Sequence, residues 1–348
     1  FTSGSTGIPK GAAISHQNLI HFINWSFSII DVRPDDVFAN VNPMYFDNSV
    51  FDFFASLFSG SCLAPIEQDI VKNPLLLVNY IDQVKCTIWF SVPSMLRYLF
   101  NMKGLNTASF KHIRTLIFGG EGYPKNELVK IYELYKSRIE FYNVYGPTEC
   151  TCICSVKKIE DNDFVDLLGF PSLGRINQNF SHLILDSNNQ ETSKGELYLL
   201  GPNVGVGYYN DPKRTSKSFF DCKIKKHYGK KIYKTGDLVK KKGKKLYFIG
   251  RVDNQIKHMG YRIELEEIEE GINNIEQVEQ AAVIYKKEEN NNRIVAFITL
   301  KEEIKKGLII NKLTKTIPNY MIPNKINILD VLPLNRNGKI DKKSLLSM

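Results

Sequence analysis

The chain has 348 residues, 43% of them hydrophobic and 24% charged, an ordinary balance for a globular protein with length for about two domains. No apolar run is long enough to span a bilayer. The net charge of +9 comes largely from a lysine-rich stretch, Lys223 to Lys245, which lacks aromatic interleaving or a nucleic-acid-binding motif. We therefore expect neither nucleic acid nor a membrane as a partner.

The first segment, FTSGSTGIPKG, has the composition of a phosphate-binding loop. Glycines let the backbone approach an anion closely, hydroxyl groups donate hydrogen bonds, and Lys10 brings a positive charge. The segment is not a Walker A loop, because Pro9 stands where that motif requires glycine and Gly11 follows the lysine in place of Ser or Thr. A flexible Gly/Ser linker is the alternative interpretation.

The runs TLIFGG (115–120) and EFYNVYG (140–146) predict buried strands, and KNELVKIYELYKSR between them has helical periodicity. This order predicts a parallel or mixed sheet flanked by helices, with the chemistry in loops at the carboxyl ends of strands. GELYLLG and KLYFIGR predict further strands. The glycine of KKGKK (241–245) predicts a hairpin turn, interpreted as a solvated basic hairpin or as a docking site for an acidic partner.

The cysteines are sparse and form no C-x-x-C pair, which is typical of a protein of the reducing cytosol. Cys150, Cys152 and Cys154 alternate along a predicted strand, which would give their side chains one common face. Their spacing is not that of zinc ligands. We therefore expect a buried strand here, in a cytoplasmic protein.

The character of the sequence changes after Arg251. RIELEEIEEGINN predicts a helix, QAAVIYKKEENNNRIVAFITL predicts two strands around a polar turn, and KKGLIINKLTKTIPNYMIP predicts a helix that ends before Pro318. This segment reads as a compact α+β unit of its own, with a hinge near Asp253.

Seven motifs follow one another along the chain: FTSGSTGIPKG, YFDNSV, NVYGPTE, GELYLLGPNVGVGYYN, YKTGDL, GRVDNQIKHMGYRIELEEIE and NRNGKID. In this order they resemble the motifs of the adenylate-forming superfamily, specifically amino-acid adenylation domains of nonribosomal peptide synthetases and D-alanine–carrier protein ligases. The resemblance covers essentially the whole chain. It implies an α/β fold with a large N-terminal domain of mixed sheets flanked by helices (1–252, truncated at its N-terminus) and a small, mobile α+β C-terminal domain (253–348).

The resemblance implies ATP and Mg²⁺ as cofactors, in a reaction where a carboxylate attacks the α-phosphorus, expels pyrophosphate and is then captured by a thiol. It implies that Thr148 donates to the α-phosphate, that Glu149 binds the metal and that Asp237 holds the ribose hydroxyls. The other implied nucleotide contacts are Thr2, Ser3, Gly4, Ser5, Thr6, Gly7, Lys10, Gly120, Glu121, Asn143, Tyr145, Gly146 and Arg251. Standing alone, Tyr145 would be interpreted as a core residue and Glu149 as a solvent-facing acid.

Two lysines of the C-terminal part also take roles from the resemblance. Lys339, in NGK, matches the lysine that reaches the substrate carboxylate and α-phosphate during adenylation, and Lys257 is the candidate for the thioester stage. Asp253 matches the hinge about which the small domain rotates between the two half-reactions.

Asp47, in FDNS, matches the acid that binds the α-ammonium group of the substrate in amino-acid adenylation domains. The alternative is that Asp47 caps the helix predicted for SVFDFFASLF. By position, the rest of the implied pocket comprises Asn48, Phe51, Phe90, Ile117, Gly119, Val144, Cys152 and Ile153. The phenylalanines favour a small or medium side chain and Gly119 returns some room, although D-alanine ligases usually carry a cysteine at the position of Gly119.

The expected substrate is therefore an amino acid, and the expected acceptor is a discrete acidic phosphopantetheinyl carrier protein, with coenzyme A as the alternative. An acyl-CoA synthetase for a small or aryl acid is the nearest rival function. A non-catalytic nucleotide-binding fragment is the second rival, since relatives carry a sizeable region ahead of the phosphate loop. We expect residues 1–348 alone to show weak or no activity.

Overall fold

The computed structural model describes residues 10–221, 230–286, 292–335 and 340–348. The chain divides into two compact units, Gly11–Val252 and Asp253–Met348, and Lys10 groups with the second unit. The predicted phosphate-loop residues Thr2 to Gly7 and the predicted catalytic Lys339 lie outside the described residues. Within the described ranges, no helix combines the length and the apolar character needed to cross a membrane.

The first unit is built from β-strands and mostly short helices. Its strands are, in chain order, β1 (Ala12–Ala13), β2 (Val37–Asn40), β3 (Cys62–Pro65), β4 (Ile88–Ser91), β5 (Thr115–Gly119), β6 (Glu140–Tyr145), β7 (Ser155–Lys158), β8 (Arg175–Ile176), β9 (Ser181–Leu185), β10 (Lys194–Leu200), β11 (Gly207–Tyr208), β12 (Phe219–Asp221), β13 (Lys231–Lys242) and β14 (Lys245–Arg251). Its α-helices are α1 (His16–Ile30), α2 (Asn48–Val50), α3 (Ser56–Ser59), α4 (Gln68–Val71), α5 (Pro74–Val84), α6 (Pro93–Asn101), α7 (Lys125–Tyr135) and α8 (Pro212–Ser218). A π-helical turn (Phe51–Ala55) joins α2 to α3, and 3-10 turns span Thr148–Cys150 and Asp161–Phe164.

The main sheet has seven strands in the order β3-β2-β4-β5-β6-β7-β8. The first five strands in this order, β3-β2-β4-β5-β6, pair in parallel. β7 pairs antiparallel with β6, and β8 pairs antiparallel with β7. The two strands predicted from TLIFGG and EFYNVYG are β5 and β6, and the helix predicted between them is α7. The prediction of a mixed sheet flanked by helices is therefore confirmed.

The central strands are apolar runs because both faces of the sheet are covered. Along β4, alternate side chains point to opposite sides: Trp89 belongs to one hydrophobic cluster, whereas Ile88 and Phe90 belong to another. The first cluster includes residues of α5, α6 and α7, and the second includes residues of α1 and of the π-helical turn. The second cluster is the one that lies beside the candidate site.

A second sheet of five strands has the order β12-β13-β10-β9, with β14 paired to β13. The hairpin predicted from KKGKK is confirmed, since β13 and β14 are antiparallel and Gly243 has a φ of +59° at the turn. Lys241, Lys242 and Lys244 are exposed at its tip, as a solvated basic hairpin requires.

The cysteine-rich segment is not a strand, so that prediction is wrong. Cys150 ends a 3-10 turn, Cys152 has a φ of +70°, and β7 begins only at Ser155. Cys152 belongs to the cluster beside α1, whereas Cys150 and Cys154 belong to a cluster shared with the second sheet. A turn with left-handed residues rotates consecutive side chains away from the strict alternation of a strand, so the three thiols do not share one face.

The second unit is a small α+β unit. Its strands are β15 (Gln255–His258), β16 (Tyr261–Glu264), β17 (Val278–Lys286), β18 (Arg293–Leu300) and β19 (Lys325–Ile328), and its α-helices are α9 (Leu265–Asn273), α10 (Lys306–Leu313) and α11 (Lys342–Leu346). A 3-10 turn spans Asn319–Met321. β15 pairs with β16, and β17, β18 and β19 form a three-stranded sheet against which α9 packs.

Two predicted boundaries in the second unit differ from the structure. The helix predicted from Arg262 begins at Leu265, because 261–264 form β16 and Ile263 enters the core from a strand. The helix predicted to run up to Pro318 ends at Leu313. The polar turn predicted between β17 and β18 falls mostly outside the described residues.

Candidate functional site

The candidate residues of the first unit collect at one edge of the main sheet. Because β2, β4, β5 and β6 are parallel, their carboxyl ends share this edge, and ligands of open α/β sheets bind there. Asp47 follows β2, Gly120 and Glu121 follow β5, and Thr148 and Glu149 follow β6. Motifs that are far apart in sequence therefore meet in space.

Asp47 lies beside Thr148. The Thr148 hydroxyl donates a hydrogen bond to Asp47 Oδ2 over 2.6 Å, across a separation of 101 residues in sequence. Asp47 occupies the N-cap position of α2, but its side chain makes no capping hydrogen bond. The alternative that Asp47 is present as a helix cap is therefore wrong, and its carboxylate faces the Thr148 loop.

Glu149 is completely buried, so its interpretation as a solvent-facing acid is wrong. Its Oε1 accepts a hydrogen bond from the Tyr208 hydroxyl at 2.7 Å, and its backbone carbonyl accepts from Gly205 N at 2.8 Å. Both partners come from the GVGYYN segment. In the described ranges, no group of three or more His, Cys, Asp or Glu side chains could form a protein-only metal site. A single protein carboxylate is compatible with a magnesium ion that takes its remaining ligands from phosphate and water.

Asp237 stands at the centre of a second buried cluster. Its Oδ2 accepts from the Tyr145 hydroxyl and its Oδ1 from Arg251 Nη1, each over 2.5 Å. Strand pairing sets this arrangement, because Asp237 in β13 is in register with Arg251 in β14. Burial, and next the charge of Asp237, raises the pKa of Tyr145 well above its usual range, so this hydroxyl stays protonated as a donor.

The predicted adenine contacts surround the ends of β5 and β6. Asn143 is buried and its Nδ2 donates to the Ser172 carbonyl at 2.9 Å, while Tyr145 packs in the core cluster as well as bonding Asp237. Glu121 Oε2 accepts from Ser94 N, in the first turn of α6. Gly146 cannot be replaced without movement, since a Cβ there would lie 2.1 Å from the Cys152 carbonyl oxygen.

The predicted amino-acid pocket residues meet on one face of the main sheet. Six of them belong to the hydrophobic cluster beside α1: Phe51, Phe90, Ile117, Val144, Cys152 and Ile153. Asn48 begins α2 beside them. Burial, and next the charge of Asp47, raises the pKa of the Cys152 thiol well above its usual range, so it is neutral.

Gly119 does not leave open space, contrary to the expectation that it returns room to the pocket. A Cβ at this position would lie 2.5 Å from the Val144 backbone oxygen and 2.6 Å from its Cγ2 atom. The neighbouring strand β6 therefore occupies the space that a side chain would need.

The candidate residues of the second unit lie on and around the β15–β16 hairpin. Lys257 pairs in register with Arg262, and its carbonyl accepts from the Tyr285 hydroxyl. Asp253 Oδ1 accepts from Gln255 N just before β15. Lys10, the predicted phosphate-binding cation, forms an ion pair with Glu264 of β16 over 3.1 Å.

Sequence reasoning missed Tyr208 as the partner of Glu149, and it missed Asp52 with its two asparagines. Tyr208 stands inside the GVGYYN motif and itself pairs with Ala12 of β1, so its membership of the motif was the available signal. Asp52 is a single acid in the apolar run SVFDFFASLF. An acid inside an apolar helical run signals a buried polar partner, and that signal was available.

The chain matches two family models. The one described as AMP-binding enzyme matches residues 1–209, and the one described as AMP-binding enzyme C-terminal domain matches residues 267–339. Two curated relatives are D-alanine--D-alanyl carrier protein ligases. The ligase of Listeria innocua is 35% identical over all of this chain and 69% of its own length, and that of Bacillus anthracis is 32% identical over all of this chain and 70% of its own length.

Among solved structures, the Vibrio cholerae adenylation domain AlmE superimposes with a TM-score of 0.88 at 27% identity. The match covers 99% of this chain and 65% of AlmE, so the chain spans slightly less than two thirds of that protein. The AlmE structure holds glycyl-adenosine-5′-phosphate. Curated and structural relatives alike thus extend beyond the length of this chain.

Proposed function

We propose, since this chain belongs to the AMP-binding enzyme family, that it activates an amino acid with ATP and passes it to a carrier protein. The amino-acid carboxylate attacks the α-phosphorus, pyrophosphate leaves, and an aminoacyl-AMP forms. The phosphopantetheine thiol of a discrete carrier protein then attacks the acyl carbon and AMP leaves. The D-alanyl carrier protein ligases and the glycyl-adenylate complex among the relatives support this reaction class.

The observation that carries the proposal is the pairing of Asp47 with Thr148. A half-buried carboxylate next to an apolar cluster is poorly solvated and gains most from a cation, which the α-ammonium group of an amino acid supplies. Thr148 lies within hydrogen-bond reach of that carboxylate and is our candidate donor to the α-phosphate. Only a few bonds separate the ammonium and carboxylate groups of an amino acid. An amino acid bound to Asp47 through its ammonium group would therefore hold its carboxylate close to this phosphate.

Two buried acids, Asp237 and Glu149, are the carboxylates that we propose for nucleotide binding. Asp237, held by Tyr145 and Arg251, is our candidate acceptor for the ribose hydroxyls. Glu149 would hold Mg²⁺, which supplies charge neutralisation of the triphosphate when it is bound. Thr2 to Gly7 and Lys10 are the proposed contacts to the outer phosphates. The described cysteines are free thiols, which supports placing this reaction in the reducing cytoplasm.

The decisive experiment is ATP–pyrophosphate exchange with a panel of amino acids and simple carboxylic acids, on the intact protein that contains residues 1–348. We expect exchange with at least one amino acid. Asp47→Ala should reduce kcat/KM for that amino acid about a hundredfold, as loss of a buried charge-assisted contact does. Asp69→Ala, at an exposed aspartate of α4, is the matched control. Exchange only with acids that lack an α-amino group would instead favour an acyl-CoA synthetase.

In this proposal, Lys339 acts in adenylation and Lys257 acts in thioester formation. Lys339→Ala should slow adenylation more than thioester formation from preformed adenylate, and Lys257→Ala should do the reverse. Single-turnover assays of each half-reaction measure both effects. Equal loss in the two half-reactions for either variant would contradict the role proposed for that lysine.

A further inference from the structure

A buried carboxylate other than the proposed catalytic acids directly follows the candidate pocket residue Phe51. Asp52 is 1% exposed and sits in the π-helical turn between α2 and α3. Its Oδ2 accepts a hydrogen bond from Asn42 Nδ2 at 3.0 Å and another from Asn40 Nδ2 at 3.3 Å. π-Helical turns are rare and are frequently found at functional sites.

Asn42 connects this carboxylate to the neighbouring strand. Its amide also donates to the Phe90 carbonyl of β4 over 2.8 Å. The ladder between β2 and β4 pairs Phe38 with Ile88 and Ala39 with Trp89 and goes no further. The Asn42 side chain therefore continues the connection between the strands by one hydrogen bond after the backbone pairing has ended.

The position of this connection in the sheet is a site of ligand binding in α/β folds. β3 lies on one side of β2 and β4 on the other, so the chain reverses its direction of travel across the sheet here. Such a reversal opens a crevice outside the carboxyl ends of the two strands. The hydrogen bonds from Asn40 and Asn42 to Asp52 lie just after the carboxyl end of β2, at this reversal.

Two candidate pocket residues are fixed at the ends of the connection. Phe51 directly precedes Asp52, and Phe90 is held through its carbonyl by Asn42. Their rings contact each other edge to face, with centroids 5.6 Å apart and planes at 89°. Edge-to-face pairs depend on ring position, so a shift of either backbone would change the shape of the pocket wall.

We propose that Asp52 is a positioning residue for amino-acid selection, which sets the separation of Phe51 and Phe90 through Asn42. The inference rests on the proposed function and adds a specificity determinant to it. Asp52 does not touch the substrate. It acts by holding the π-helical turn to the end of β4, so that the pocket keeps one width for the substrate side chain.

The ionisation of Asp52 gives the proposal a second readout, the pH dependence of the amino-acid KM. Burial raises the pKa of Asp52 to about 7, against the hydrogen bonds from Asn42 and Asn40, which lower it. Cys152, whose thiol is neutral, interacts with Asp52 and also with Asp47 and Cys154. α1 contributes uncharged side chains to the same cluster, including Phe22 and Trp25. An ionised Asp52 is a stronger acceptor for the two amides than a protonated one.

The test compares Asp52→Asn, Asn42→Ala and their double variant in the exchange assay with the preferred amino acid. We expect each single variant to raise KM for the amino acid about tenfold, as loss of one hydrogen bond to a charged group does, with KM for ATP unchanged. The double variant should be no worse than the poorer single variant, because both break one connection. Discrimination against larger amino acids should weaken, and a bend near pH 7 in the amino-acid KM should disappear in Asp52→Asn.

Asp69→Asn serves as the control for a change of charge at an exposed aspartate. Asn42→Ala keeps the inference testable if Asp52→Asn does not fold, since Asn42 lies outside the helical run. If the wild type is active and the variants keep its amino-acid KM and its amino-acid preference, this inference is overturned and the proposed function stands. Absence of exchange with every amino acid in the wild type would overturn the proposed function, and this inference with it. Additive effects in the double variant would also contradict a shared connection.

Discussion

Asp36 and Asp52 are both buried aspartates, and their surroundings shift their pKa values in opposite directions. For Asp52, burial dominates over two asparagine amides and raises the pKa to about 7. For Asp36, burial is outweighed by hydrogen bonds from Arg114, Thr87 and the Arg33 backbone, which lower the pKa. Neutral amides only partly offset desolvation, whereas a guanidinium adds its charge to the hydrogen bond.

The raised pKa of Asp52 predicts how stability depends on pH. Between the ordinary value of 3.8 and about 7, the folded state keeps a proton that the unfolded state has lost. The stabilisation from this group is thus present at low pH and is lost as pH rises through that window, by at most about 4 kcal/mol. Urea unfolding of wild type and Asp52→Asn at pH 5 and pH 8 measures it. The variant should gain stability relative to wild type at pH 8, and an identical pH dependence would refute this.

Gly119 predicts a steric effect. Gly119→Ala would place a Cβ 2.5 Å from the Val144 backbone oxygen. To relieve this clash the backbone of β6 would have to move, which is costly. We expect a loss of about 1–3 kcal/mol in the free energy of unfolding, as for overpacked cores. Gly307→Ala is the matched control, since a Cβ there meets nothing within 4 Å and α10 gains helix propensity. If both variants melt at the wild-type temperature, β6 does not exclude a side chain at position 119.

At the scale of elements, one ion pair fastens the start of β2 to its neighbours. Arg114 Nη2 contacts Asp36 Oδ2 at 2.5 Å and the Asp31 carbonyl at 2.7 Å. Thr87, just before β4, donates to Asp36 Oδ1 and accepts from Val37 N. The approaches to β2, β4 and β5 are therefore joined at the amino ends of the strands, opposite the edge that carries the candidate site.

Removal of the Arg114 guanidinium should destabilise the protein strongly, because it leaves Asp36 buried without its cation. Arg114→Leu is expected to cost about 3–5 kcal/mol in chemical denaturation. Arg33→Leu is the control, since that guanidinium pairs with Asp31, whose side chain is 78% exposed, and it should cost at most about 1 kcal/mol. Similar losses for the two arginines would show that burial of Asp36 is not decisive.

At the scale of the whole molecule, the positive charge is concentrated rather than uniform. The hairpin of β13 and β14 places Lys241, Lys242 and Lys244 together in solvent. A cluster of this kind raises the rate of association with an acidic protein in a salt-dependent way. Carrier-protein docking is therefore the step at which the net charge of +9 would act.

Charge reversal at the hairpin tests this role. The triple variant Lys241→Glu, Lys242→Glu, Lys244→Glu should lower kcat/KM for the carrier protein about tenfold at low salt, while pyrophosphate exchange is unchanged. Reversal of the exposed Lys72, Lys103 and Lys111 keeps the same net charge and is the control. Equal loss in both triple variants would assign the effect to net charge alone.

Local pattern predicted much of the fold. β5, β6, α7 and the KKGKK hairpin follow from apolar runs, helical periodicity and one glycine, signals that act over a few residues. The cysteine segment misled the prediction because Thr151 and Cys152 adopt left-handed conformations that alternation does not report. α9 begins later than the apolar pattern predicts, because Ile263 fits a helical pattern while its backbone pairs in β16.

The order and spacing of the motifs are enough to identify the family, and with it the candidate residues. Three contacts could be known only from the folded chain: Asp47 faces Thr148 and not its own helix, Glu149 is buried against Tyr208, and Asp52 is linked to Phe90. The physical reason is that burial and hydrogen-bond partners are set by strands packed side by side. Those contacts join residues up to about a hundred positions apart, where local propensity carries no information.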